Sequence, residues 1–230
     1  MSAERQRGAM FAGIGFVVLF VAGVILTFGD TPEIKKSDTA ATAAQKWLTE
    51  LSTSGHRVGI IVGAYMLLVA AIAFVWFCSG LREWLGLSPG ASRALTGLSV
   101  LGAGVIAVAT MFGGASVAGA VEFAENPLPT GESIRTGAEP FFPLLFVAFG
   151  LVSAAIIVTV TVSATRAGGL PRWLAYAGWL GALGSILGVI FFPFVLPLLW
   201  YLAVAIVGLA AASRGAPVQP SPSAPPPPGG

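Results

Sequence analysis

Ionisable side chains are scarce in this sequence. Only 10% of its 230 residues are Asp, Glu, Lys or Arg, against about a quarter in soluble domains. So few charges cannot cover a globule of this size, and 56% of the residues are hydrophobic, with a mean hydropathy of +0.87. The outer surface must meet something apolar, and the expected partner is a lipid bilayer. Cys78 is the only cysteine, which rules out an intramolecular disulfide and any cysteine-built zinc or iron–sulfur centre. Lying in an apolar run, it reads as a small packing residue. His56 is the only histidine, so haem held between two histidines is excluded as well. The net charge of +2 is too small a bias to imply nucleic acid.

What the sequence does have is long apolar runs. A hydrocarbon core of about 30 Å takes about 20 helical residues to cross, and six stretches qualify: Ala9–Phe28, Val58–Ser79, Ala94–Val121, Phe141–Thr165, Trp173–Phe191 and Pro193–Ser213. None contains Asp, Glu, Lys, Arg or His. Ionisable groups inside a membrane mark proton relays, ion paths and pumps; without them a proton- or sodium-coupled carrier is not expected. The last two runs are joined only by "IFFPFVLP", where Pro193 and Pro197 permit a tight reversal. The first run follows Arg5 and Arg7 but is too long for the apolar region of a signal peptide, and "LTFGDT" offers no small-x-small cleavage site. It reads as a retained span.

Between the first two runs, residues 38–54 predict an amphipathic helix. Ala40, Ala44, Trp47, Leu48 and Leu51 form one apolar stripe opposite Gln45, Lys46, Thr49 and Glu50. Ser37 or Asp38 is the expected start cap, and Gly55 the stop. Such a helix lies flat at a membrane interface. The fold class is therefore all-α: a polytopic membrane domain over 1–214 with six transmembrane helices and one outer amphipathic helix. The segment 215–230, "GAPVQPSPSAPPPPGG", has no apolar pattern to bury and reads as a disordered, proline-rich tail.

Orientation follows from the basic residues of the short loops. With the N-terminus inside, Arg5, Arg7, Arg82, Arg93, Arg166, Arg172 and Arg214 are cytoplasmic, while Lys35, Lys36, Lys46, Arg57 and Arg135 are spread over longer outer loops. Both termini are then expected in the cytoplasm.

Few residues suggest chemistry. Gly114-Ala115-Ser116 resembles the G-x-S of rhomboid-type intramembrane serine proteases, and His56 falls at the same outer face. A Ser–His pair needs the base within hydrogen-bond reach and donors for an oxyanion. His56 sits at the edge of its span and precedes the serine, opposite to the rhomboid order, so close helix packing is the preferred reading. Glu122 and Glu125 share one helix face and could hold a divalent cation; a solvated acidic loop is preferred. No catalytic, cofactor or metal residue is assigned. Small residues recur at four-residue spacing, at Gly59/Gly63, Ala115/Gly119, Gly184/Gly188, Ala9/Gly13 and Gly208/Ala212. Such faces let helix backbones approach closely, within the chain or against a membrane-protein partner or second copy.

Two turns look alike, "GLREWLG" (Gly80–Gly86) and "GLPRWLA" (Gly169–Ala175), each placing Arg and Trp where the chain meets the inner leaflet. The longer stretch "GLPRWLAYAGWLGALG" is similar to the loop-to-helix element of many bacterial, especially actinobacterial, multi-span membrane proteins of unknown function. The resemblance implies a bacterial inner-membrane protein and carries no activity with it. The expected role is a non-enzymatic scaffold or accessory subunit; the alternative is an uncoupled small-molecule or lipid carrier with a passage between its helices.

Overall fold

The computed structural model describes residues 3–28, 37–112, 141, 143–167, 169–190 and 194–214. Every regular element among them is helical. In chain order they are α1 (Ala3–Phe28), α2 (Ala40–Ser52), α3 (Ser54–Trp84), α4 (Pro89–Phe112), a π-helical turn (Pro143–Ala148) running into α5 (Phe149–Ala167), α6 (Arg172–Ile186) with a 3-10 extension (Leu187–Ile190), and α7 (Val195–Ser213).

Five of these helical stretches are long and apolar enough to cross a membrane. The fifth expected span, Trp173–Phe191, differs: α-helical geometry lasts only 15 residues before tightening into the 3-10 turn. The expected run Ala94–Val121 begins earlier, at Pro89, because Ser88 and Pro89 supply a start signal stronger than the onset of apolarity. The Ser88 hydroxyl accepts a hydrogen bond from the Ala91 amide at 3.4 Å, and proline suits a first helical position, where its missing N–H costs nothing. Residues 113–121 of that run lie outside the described residues. So do Ser116, Glu122, Glu125 and the tail from Gly215 onward.

Helix α3 runs beyond its apolar core at both ends, taking in His56 and Arg57 at the start and Arg82 and Glu83 at the finish. It stops at Gly86, whose φ of +56° suits a residue without a Cβ. The Gly86 amide donates to the Glu83 carbonyl and the Leu87 amide to the Arg82 carbonyl, both at 3.3 Å. These two reversed bonds satisfy carbonyls that the helix end would otherwise leave open. Helix α2 starts differently from expectation. The Thr39 hydroxyl, not Ser37 or Asp38, accepts from the Thr42 amide at 3.2 Å. Asp38 instead meets Lys46 at 2.7 Å, tying the approach to α2 onto its second turn.

The six long elements form a closed ring. Each packs on its neighbours in the chain, α1 most extensively on α3, and α7 returns to α1 to close the circle. At the ring's closure the Gln6 side chain donates to the Gly208 carbonyl and Arg7 to the Ala212 carbonyl, both at 3.4 Å. The start of α1 and the end of α7 therefore lie at one end of the bundle. The two similar turns meet at that same end, where a Cβ on Gly169 would touch the Leu85 side chain at 3.5 Å.

Candidate functional site

Glycine sets how closely the helices approach. A Cβ added at Gly63 would stand 2.6 Å from the Thr27 hydroxyl and 2.8 Å from the Gly23 carbonyl oxygen, so α1 and α3 cross almost backbone to backbone. At Gly13 it would strike the Phe77 ring, at Gly208 the Met10 side chain, and at Gly188 the Phe194 ring, while Gly80 is pressed against Ala9. Of the small residues picked out from the sequence, Ala9, Gly13, Gly63, Gly188 and Gly208 thus close the bundle on itself, while Ala115/Gly119 lies outside the described residues. Gly97 and Gly104 of α4, by contrast, look outward with nothing near.

Close backbones leave a narrow interior, and aromatic rings fill it. Phe16 and Phe20 of α1, Phe74 and Phe77 of α3, Phe149 of α5, and Phe194 and Tyr201 at the start of and within α7 are all buried. Phe16 stacks obliquely on Phe74 with centroids 4.7 Å apart. Tyr201 meets Phe16, Phe74 and Phe77 edge to face at 5.8, 5.6 and 6.2 Å. Phe149 bridges to Phe20 and Phe74, each at 5.6 Å. These tilted and edge-to-face arrangements suit the quadrupoles of the rings.

Polar groups within this core are paired locally, except the Thr161 hydroxyl, which is buried without a hydrogen-bond partner. The Tyr201 and Ser153 hydroxyls share a hydrogen bond of 2.8 Å, and the Trp200 indole donates to the Leu174 carbonyl at 3.2 Å. Thr110 donates to the Ile106 carbonyl of its own helix at 2.7 Å, the usual way a membrane helix silences a hydroxyl. The Thr161 hydroxyl is packed against Gly178. The Tyr201 and Thr110 hydroxyls, two of the polar groups that could line a space between the helices, are both shut in: Tyr201 is 0% and Thr110 3% exposed.

The other candidates do not converge. His56 is half-buried in the first turn of α3. Cys78 is buried within α3. Among the described residues no three His, Cys, Asp or Glu side chains come together as a metal would require. Sequence reasoning missed the Ser153–Tyr201 pair and the Gln6 and Arg7 ties. The only signal for the first was a lone hydroxyl on each of two apolar runs, which resembles many other such hydroxyls here. No family model matches the chain, and neither does any curated protein or solved structure.

Proposed function

We propose that the protein is a six-span integral membrane protein of a bacterial inner membrane, both termini cytoplasmic, acting non-enzymatically as a scaffold or accessory subunit. One observation carries the functional part: the ring's centre is occupied by interlocked aromatic side chains, with Tyr201 fully buried among them. A scaffold needs a rigid body and an outer surface; a carrier needs space that opens.

Two features support six crossings. The 15 residues of α6 at 1.5 Å each and the 4 of its 3-10 turn at 2.0 Å reach about 30 Å, the thickness of the hydrocarbon core. The ties from Gln6 and Arg7 to α7 hold the first and last helical ends close together, in keeping with an even number of crossings. The arginines favour the cytoplasm for that side.

Both parts have direct tests. Reconstituted into liposomes, the protein should leave the efflux of glycerol, neutral amino acids and short fatty acids at the rate of protein-free vesicles. Saturable flux that Tyr201→Phe alters would replace the scaffold with the carrier. For topology, an impermeant thiol reagent applied to intact cells should label Thr53→Cys and leave Gly90→Cys unlabelled. Native Cys78 is buried and adds little background. The reverse pattern would turn the protein over in the membrane.

A further inference from the structure

Between Phe141 and Arg214 the sequence has no Asp, Glu, Lys or His, yet it has three arginines: Arg166, Arg172 and Arg214. Arg166 lies in the last turn of α5, Arg172 opens α6 and Arg214 follows α7. These helices pack in succession, α5 on α6 and α6 on α7, so the three arginines gather at one end of the bundle. All three are exposed, and among the described residues none of their guanidinium groups meets an acceptor. Contacts between the helices set their depths. Thr161 packs on Gly178; Arg166 is five residues from that contact and Arg172 six, or about 7.5 and 9 Å along the helices, so the two share a level. Trp200 packs on Gly181, from which Arg172 is about 13.5 Å and Arg214 about 21 Å toward the same end, so Arg214 stands furthest out. Arg172 sits at the positive end of its own helix, where a cation is disfavoured, and Pro171 before it supplies no side-chain cap. Deeper along α6, Trp173 and Tyr176 are 57% and 72% exposed and form an aromatic wall.

We propose that Arg166, Arg172 and Arg214 together bind a phospholipid with two phosphate groups, a glycerol-bridged lipid of the cardiolipin type. The assignment rests on the membrane-embedded reading above. Guanidinium takes phosphate oxygens through paired, charge-assisted hydrogen bonds, and basic groups between membrane helices suit such headgroups. Arg166 and Arg172, level with each other, take one phosphate each, and Arg214 closes over the headgroup from outside. A lipid with one phosphate leaves part of this charge uncompensated. A choline headgroup would add a fourth cation to three that no carboxylate offsets. A soluble anion could meet the arginines but would leave Trp173 and Tyr176 uncovered. Acyl chains running down α6 cover them, with the Trp173 indole at headgroup level as interfacial tryptophans are.

The test is a thermal-shift titration of the full chain in mild detergent with tetraoleoyl cardiolipin or dioleoyl phosphatidylglycerol, compared at equal phosphate. Half-saturation for cardiolipin should come at a phosphate concentration about tenfold lower, a factor equal to about 1.4 kcal/mol. Replacing Arg166 and Arg172 together with Gln should erase that preference. Arg57→Gln, which removes a charge at the other end of α3 from this site, should keep it. Equal half-saturation in the wild-type protein would overturn the proposal, as would a preference that survives the double replacement or is lost equally with Arg57→Gln. Inorganic pyrophosphate giving the same shift at the same phosphate concentration would also overturn it, because the ligand would then be a soluble diphosphate. The wild-type comparison needs no variant to fold, and the thiol-labelling experiment decides the membrane topology separately.

Discussion

Replacing Tyr201 with alanine is expected to cost the protein about 3–5 kcal/mol, the range for deleting a large buried aromatic. Tyr201 is the residue on which the interior converges: it touches rings from α1 and α3 and is bonded to Ser153 of α5. Its loss would leave a cavity that the surrounding phenylalanines, already held edge to face by their own neighbours, can only partly close. Tyr201→Phe separates ring from hydroxyl. It keeps the packing and gives up one hydrogen bond, which in membrane helices averages about 0.6 kcal/mol and reaches about 1.7 at most. Reversible unfolding in mixed micelles should therefore place the alanine variant far below the phenylalanine one. Equal losses would mean that the bond with Ser153, not the ring, holds the centre.

The second large effect is expected at the α1–α3 crossing. Gly63→Leu would drive a branched side chain against the Gly23 carbonyl and the Thr27 amide nitrogen, which an added Cβ would already meet at 2.8 and 3.0 Å. Both are backbone atoms within a helix and cannot turn aside as a side chain would. Overpacking typically costs about 1–3 kcal/mol, and a contact against backbone belongs at the top of that range. Gly104→Leu is the matched control, because nothing lies near that position. It should melt at or slightly above the wild-type temperature, since glycine is among the poorest helix formers. If both variants lose the same stability, the crossing is not the close approach described.

Much of the fold could be read from runs of apolar residues, since a helix that satisfies its own backbone is the natural way for one chain to cross lipid. Helix ends were harder. Apolarity placed the second span at Val58–Ser79, whereas α3 covers Ser54–Trp84, because a helix need not stop where hydrocarbon stops. Its actual end is written in Gly86, a backbone signal that hydropathy does not register. Hydropathy is equally blind to a change of helical type: the sequence stays apolar through Phe191 while the backbone tightens from Leu187.

The interior was the least legible part. In a soluble helix polar residues identify the outer face, but here every face is apolar and periodicity is silent. Composition does not separate the faces either. Phe16, Phe20, Phe74, Phe77 and Phe149 turn inward together with Leu67, Leu95 and Ile156, while Phe11, Tyr65 and Trp179 lie outside with Val18, Ile72 and Leu151. Only the packing of one helix on another decides which apolar side chains are covered. The contact of Ala9 with Gly80 was out of reach for a different reason: those residues are 71 positions apart and meet only because α1 and α3 run antiparallel.

The closure of the ring by its first and last helices also orders events during biosynthesis. Gln6 and Gly208 are 202 residues apart, and Arg7 and Ala212 are 205. At a synthesis rate of about 5–20 residues per second, α1 must wait roughly 10 to 40 s for its second neighbour. Until then the Met10 and Phe16 side of α1 has no α7 to meet. A nascent chain halted before Val195 is thus a half-closed horseshoe, and the last helix to be made is the one that locks the first.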